Sequence, residues 1–181
     1  MMPERTESWT RRERAAAAYC PKRIRLLLIG ESPPSDERSF YLDDASGGDP
    51  LFEEVCEVLF EARPEESKAP FLKELRRRGV FVIDLKPDAP RRGEPLAPYV
   101  GPLLINLGIL SPEKIVFVHP EVYDAAAAKL AAAELPVVEV RVPAPSTDHP
   151  ETFRQKLRQA LVRAGLEKLI RPMPAPKAGG D

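Results

Sequence analysis

Four short apolar segments, set apart by stretches of helical length, narrow the possible folds of this chain more than anything else in it. They are Arg23–Ile29, Val80–Leu85, Lys114–Val118 and Val137–Val142. A strand sends alternate side chains to opposite faces of its sheet, so a run such as Leu26-Leu27-Leu28-Ile29 must be covered on both faces. The intervening stretches carry helix signals. Residues 8–19, Leu51–Phe60, Ala69–Arg77, Tyr99–Leu107 and Val122–Ala133 read as helices, as does the stretch bearing Phe153, Leu157, Ala160, Leu161 and Ala164. Strands separated by helices connect in parallel, because the crossover occupies the helix. The expected fold is therefore a three-layer α/β/α domain around a four-stranded parallel sheet, spanning residues 1–170. A Pro/Gly-rich tail, 171–181, is expected to be disordered.

Several classes of protein are excluded or disfavoured by what the chain lacks. A length of 181 residues suits one hydrophobic core rather than two. No apolar run reaches the roughly 18 residues of a membrane span, and the charged start, MMPERTESWTRRER, has no secretory core. A cytoplasmic monomer without membrane contact is expected. Cys20 and Cys56 are the only cysteines, too few for a disulfide framework or a multi-cysteine metal site. No phosphate-binding loop, dinucleotide fingerprint or nucleophile elbow is present, so neither metal nor cofactor is expected. The net charge of −1 removes the argument from a globally basic chain. The cations are nevertheless grouped: Arg11, Arg12 and Arg14; then Lys22, Arg23 and Arg25; then Arg76 to Arg78 with Lys86, Arg91 and Arg92. Such groups are ordinarily solvated faces, and they give only weak support for a polyanionic partner.

In parallel sheets ligands bind beyond the carboxyl ends of the strands. The unusual loops of this chain fall there. The first apolar segment runs into Gly30-Glu31-Ser32-Pro33-Pro34, a turn that glycine permits and two prolines stiffen. Glu31 can accept a proton or orient water; otherwise the turn is structural. Asp84 ends the second segment, where partial desolvation would raise its carboxyl pKa. It reads either as a recognition or acid–base group or as a salt-bridge partner of Lys86. Phe40 and Tyr41 stand in a polar loop and can stack on a flat ring or close over the edge of the core. His119 and His149, the only histidines, both precede proline. His119 reads as structural. His149 lies in a polar loop with Ser146, Thr147 and Asp148 before a helix whose amino end would attract an anion.

These motifs resemble those of the uracil-DNA glycosylase superfamily. In that family the first strand ends in a Gly-x-x-Pro-x motif, which Gly30-Glu31-Ser32-Pro33-Pro34 matches, and the glutamate is most similar to the thermophilic branch. An aromatic residue soon after that loop stacks on the extruded base, a role that falls to Phe40 or Tyr41. The family's second strand ends in a base-reading asparagine followed by a proline-rich basic loop. Here Val82-Ile83-Asp84-Leu85-Lys86-Pro87 and Pro90-Arg91-Arg92 are similar, with a carboxyl in place of the amide. A carboxylate accepts hydrogen bonds and donates one only when protonated. The family's last strand leads to a loop with histidine or asparagine, proline and serine, to which Pro145-Ser146 and His149 correspond in order. The cysteines that hold the thermophilic branch's iron–sulfur cluster are absent.

The resemblance implies an enzyme that flips a deaminated base from single-stranded or damaged duplex DNA and hydrolyses its N-glycosidic bond. Glu31 and His149 would be catalytic. Gly30, Ser32, Pro33, Phe40, Tyr41, Asp84 and Ser146 would bind the base or ligand, and Lys86, Arg91 and Arg92 would contact phosphates. Two alternatives stay open: a non-catalytic nucleic-acid or nucleotide-binding protein on the same scaffold, and a small-molecule hydrolase or transferase unrelated to DNA.

Overall fold

The computed structural model describes residues 7–34, 39–43, 48–89, 91, 93–146 and 148–175. In chain order the elements are α1 (Glu7–Tyr19), β1 (Leu26–Gly30), α2 (Pro50–Phe60), α3 (Ala69–Arg78), β2 (Val80–Asp84), α4 (Ala97–Leu110), β3 (Ile115–Phe117), α5 (Pro120–Ala132) and α6 (Pro150–Arg163). A single 3-10 turn, Glu167–Leu169, follows. Five of the helices, α2 to α6, carry proline in their first turn. That is where its fixed φ and missing N–H cost nothing, so part of the chain's high proline content marks helix starts. No helix among the described residues is long and apolar enough to cross a membrane.

The sheet has three parallel strands in the order β2-β1-β3. Every residue of the central strand β1 is buried, as its unbroken apolar sequence requires. Register sets Gly30 opposite Asp84 and Ile29 opposite Phe117, which aligns the carboxyl ends of all three strands.

The expected fourth strand, Val137–Val142, is reduced to one parallel bridge between Val137 and Ile115. Val138 still donates to the Ile115 carbonyl at 2.8 Å, but the next donor along, Val140 N–H, bonds back to the Val138 carbonyl at 2.8 Å. The backbone therefore turns on itself instead of extending the ladder. β3 is also only three residues long before His119-Pro120 starts α5. Val140 and Val142 are buried all the same, so the apolar pattern serves the core without serving the sheet.

β2 is an edge strand, and unpaired edges invite wrong partners. Tyr41 covers this one. Its hydroxyl accepts from Val82 N–H at 2.7 Å and donates to the Val82 carbonyl at 3.0 Å. At the other end of the molecule the buried Arg78 donates to the carbonyls of Leu59 (2.9 Å), Leu169 (2.7 Å), Arg171 (3.0 Å) and Pro172 (3.1 Å). Glu74 accepts from its Nε at 2.7 Å. This corrects the boundary expected for the disordered tail: residues 171 and 172 are fastened by Arg78, and Met173 packs on the core. The rest of that expectation, 176–181, lies outside the described residues.

Candidate functional site

In the order β2-β1-β3 the chain leaves β1 to one side and later returns to the other. The crevice beyond the carboxyl ends of β1 and β3 is thus the topological switch point, the usual ligand position in such sheets. Glu31 follows β1 there and His119 follows β3. Glu31 Oε2 lies 3.0 Å from His119 Nε2, and its Oε1 lies 3.0 Å from Lys86 Nζ. Glu94 Oε2 approaches the same ammonium at 3.5 Å, and Tyr99 donates to Glu94 Oε1 at 2.7 Å. Backbone bonds from Leu85 N–H to the Gly30 carbonyl (3.0 Å) and from Lys86 N–H to the Glu31 carbonyl (2.8 Å) carry the β1–β2 pairing past the strand ends. That pairing fixes Glu31 and Lys86 as neighbours.

Only 2% of the Lys86 side chain is exposed, against 22% for Glu31. Burial works against the ammonium, but Glu31 and Glu94 outweigh it and hold the Lys86 pKa above the ordinary lysine value. The distances to both carboxylates are those of ion pairs. His119 donates from Nε2 if Glu31 is ionised, which leaves Nδ1 as a buried atom with no partner among the described residues. In the neutral imidazole that atom carries a lone pair and no proton. Glu31, His119 and the exposed Glu121 bring one donor atom each within 4.8 Å of one another. Lys86 supplies a positive charge facing Glu31 in the same network.

Beside the network opens a cavity of about 750 Å³. Ser32 and Pro33 come from the β1 turn, Phe40 and Tyr41 from the next loop, Asp84 and Lys86 from the end of β2, Asn106 from α4, and Pro145 from the loop before α6. Asp84 stands in it beside Gly30. A β-carbon on Gly30 would come within 2.8 Å of Asp84 Oδ1, so only glycine lets the carboxyl sit against β1. Asp84 is exposed to the water of the cavity, but protein surrounds it on the other sides. Desolvation, with the charges of Asp49 and Glu31 against that of Arg12, pushes its pKa up to about 7. A carboxyl with that pKa is close to half protonated at neutral pH and can present a donor and an acceptor together.

Phe40 and Tyr41 are each only 8% exposed. Phe40 packs edge-on against Phe52 with centroids 5.0 Å apart, and Tyr41 meets Phe81 at 5.5 Å. They close over the core edge and turn part of their surface to the cavity, rather than standing free as a stacking platform. Burial also lifts the Tyr41 hydroxyl well above the usual phenol pKa, so it stays protonated on Val82.

The other expected site residues do not join this group. His149 stands just before α6 without a side-chain capping hydrogen bond, 78% of its side chain is exposed, and its Nδ1 is 3.7 Å from Glu151. Like Glu31 and His119, it does not line the cavity, but Glu31 contacts the lining residue Lys86. Ser146 is exposed, its Oγ accepting from Asp148 N–H at 3.2 Å. Arg91 is exposed, and Arg92 and Thr147 lie outside the described residues. Lys86 requires a correction: an ammonium buried between Glu31 and Glu94 cannot be the surface phosphate contact expected of it. Sequence reasoning missed four functional candidates: His119 as the partner of Glu31, then Glu94, Tyr99 and Asn106. Two signals pointed to them. Asn106 is the only asparagine in the chain, and His119 directly follows an apolar strand segment.

The sequence matches no protein-family model, and no curated protein matches it.

Proposed function

We propose that this chain is a DNA base-excision enzyme, or a close structural relative of one, on a three-layer scaffold of the uracil-DNA glycosylase kind. The observation that carries the reading is the cavity beyond β1 and β2. It has the size of a small-ligand site, and Asp84, with a pKa of about 7, opens into it beside the Glu31 network. An amide in the corresponding family position offers a donor and an acceptor to the edge of a base. A protonated Asp84 offers the same pair, which supports uracil-like or hypoxanthine-like bases presenting a carbonyl next to an N–H. Asn106, which also lines the cavity, would contact the same ring, and Phe40 and Tyr41 would limit its depth.

On this reading Glu31 orients water or stabilises positive charge on the sugar as the glycosidic bond breaks. Lys86 and His119 act as positioning residues that hold its carboxylate. His149, Ser146 and Arg91 sit outside the cavity and would meet the DNA backbone. The protein would work in the cytoplasm as a monomer without cofactor. A second reading, a non-catalytic nucleotide- or nucleic-acid-binding protein, is favoured by one specific feature: both oxygens of Glu31 are already engaged, by Lys86 and His119.

The test is a panel of end-labelled oligonucleotides, single- and double-stranded, each with one uracil, hypoxanthine or xanthine, followed by alkaline strand scission. The enzyme reading expects abasic sites from at least one substrate with the parent chain and loss of that product with Glu31→Gln. Tight binding of a modified oligonucleotide without scission would decide for the binding protein. Neither binding nor scission would remove both.

A further inference from the structure

A second cavity, of about 520 Å³, lies at the opposite end of the sheet. Its wall is formed by Lys22, Arg23, Arg25, Lys73, Arg76 and Arg77, with Pro21 and Gly79. Arg25 immediately precedes β1 and Gly79 immediately precedes β2, so the cavity sits at the amino ends of the strands, away from Asp84. The local sequence builds it. Lys73, Arg76 and Arg77 are spaced three and four apart on α3, which puts them on one helix face. Gly79 ends that helix in the left-handed region (φ 78°), and its carbonyl accepts from Arg25 N–H at 2.8 Å and Leu26 N–H at 3.1 Å. A β-carbon on Gly79 would lie 2.9 Å from both the Arg23 carbonyl oxygen and Arg25 Cγ. Glycine therefore allows the loop before β1 to close against α3 and bring its own three cations to the helix's three.

Among the described residues, no acidic side chain lines this cavity. Two of the six cations are answered from outside it: Arg77 pairs with Glu74 at 2.6 Å, and Arg23 contacts Glu113. Among the described residues, Lys22, Arg25, Lys73 and Arg76 have no carboxylate within ion-pairing distance. In a chain with 27 basic and 28 acidic residues, four unanswered cations converging on one concavity is a local imbalance. Like charges that close repel, and a bound anion relieves the repulsion. Among the described residues, the wall has no aromatic ring for a base to stack on. Guanidinium and ammonium groups without stacking surface recognise phosphate by charge and N–H donation. The volume is in the range of small-ligand sites, and a single phosphate would leave most of the four charges unmatched.

We infer that this cavity is an anion site for two or more linked phosphate groups, from either a free oligophosphate or a run of phosphodiesters in a nucleic-acid strand. It is independent of the chemistry proposed at the carboxyl edge.

The test titrates the full chain at low ionic strength with tripolyphosphate and, separately, with a short oligothymidylate, by calorimetry. The double variant Lys73→Ala/Arg76→Ala is compared with Arg158→Ala/Arg163→Ala, which removes the same charge from exposed positions of α6. The expected result is saturable one-to-one binding of tripolyphosphate that weakens at least tenfold in the first variant. For oligothymidylate, the slope of log affinity against log salt should flatten by about 1.4, ~0.7 per cation removed. The α6 variant should stay within about twofold, a change of only ~0.4 kcal/mol. If oligothymidylate affinity falls in parallel, the phosphates come from a nucleic-acid strand; if only tripolyphosphate responds, they come from a free oligophosphate. Equal loss in both variants, or no saturable binding of either ligand, would overturn the inference.

Discussion

Asp84→Asn should make the protein more stable at pH 8 and leave it unchanged near pH 4, the reverse of what removing a useful charge does. In the fold the carboxyl pKa stands near 7, against 3.8 for an unperturbed aspartate, chiefly because it is desolvated. Between those values the folded chain holds one more proton than the unfolded chain, so stability falls as pH rises through that window. Below about pH 4 both states are protonated and there is no penalty; above about pH 7 both are ionised and the penalty is complete. At about 1.4 kcal/mol per tenfold change in proton affinity, the whole difference would be roughly 4 kcal/mol. Asp84 opens to the water of the cavity, and solvent screening cuts that to about 1–2 kcal/mol. For a chain of this size each kcal/mol is worth ~2–4 °C in melting temperature, so the amide should gain about 2–8 °C at pH 8. Urea unfolding of parent and variant at half-unit steps from pH 4 to pH 8.5 would measure it. The two stability curves should diverge as pH rises from about 4 to about 7 and run parallel above that. Curves parallel throughout, or a variant less stable at pH 8, would mean that Asp84 is not held in a desolvated site, and its role as a donor to a base would fall with that.

Two further outcomes follow from the geometry. Tyr41→Phe strips the hydroxyl from both polar groups of Val82 and leaves them unpaired at a buried sheet edge, a loss of about 1–3 kcal/mol that thermal unfolding would read. An unchanged melting temperature would mean that water or another group covers the edge of β2. If a base-excision substrate is found, His119→Ala should lower kcat at least tenfold (~1.4 kcal/mol) by releasing Glu31, while His149→Ala should change kcat by less than about twofold and act on KM. The opposite ranking would return catalysis to the α6 loop and take it from the switch point.

Much of this molecule could be read from the order of its residues. An unbroken Leu26-Leu27-Leu28-Ile29 admits little except a central strand covered on both faces, and all four residues are fully buried. The helices were legible because apolar spacing and first-turn prolines act locally, through backbone angles and one face of a cylinder. Gly30 at a strand end likewise announced a turn, although not that its missing side chain makes room for Asp84.

What escaped the sequence depends on partners distant in the chain. Val137–Val142 has strand composition, yet whether it pairs depends on how much edge β3 leaves and on where Val140 sends its N–H. Lys86 looks like a surface cation until Glu31 and Glu94, 55 residues upstream and eight downstream, close around it. His119 and His149 share a local pattern, a histidine before a helix-starting proline, and differ entirely in environment. The first faces Glu31 because β3 lies next to β1; the second faces solvent. Local spacing fixes which residues form strands and helices, because those preferences are set within a few bonds. Which charges are buried together, and therefore what the site can do, is decided only when the sheet order brings separate loops to one edge.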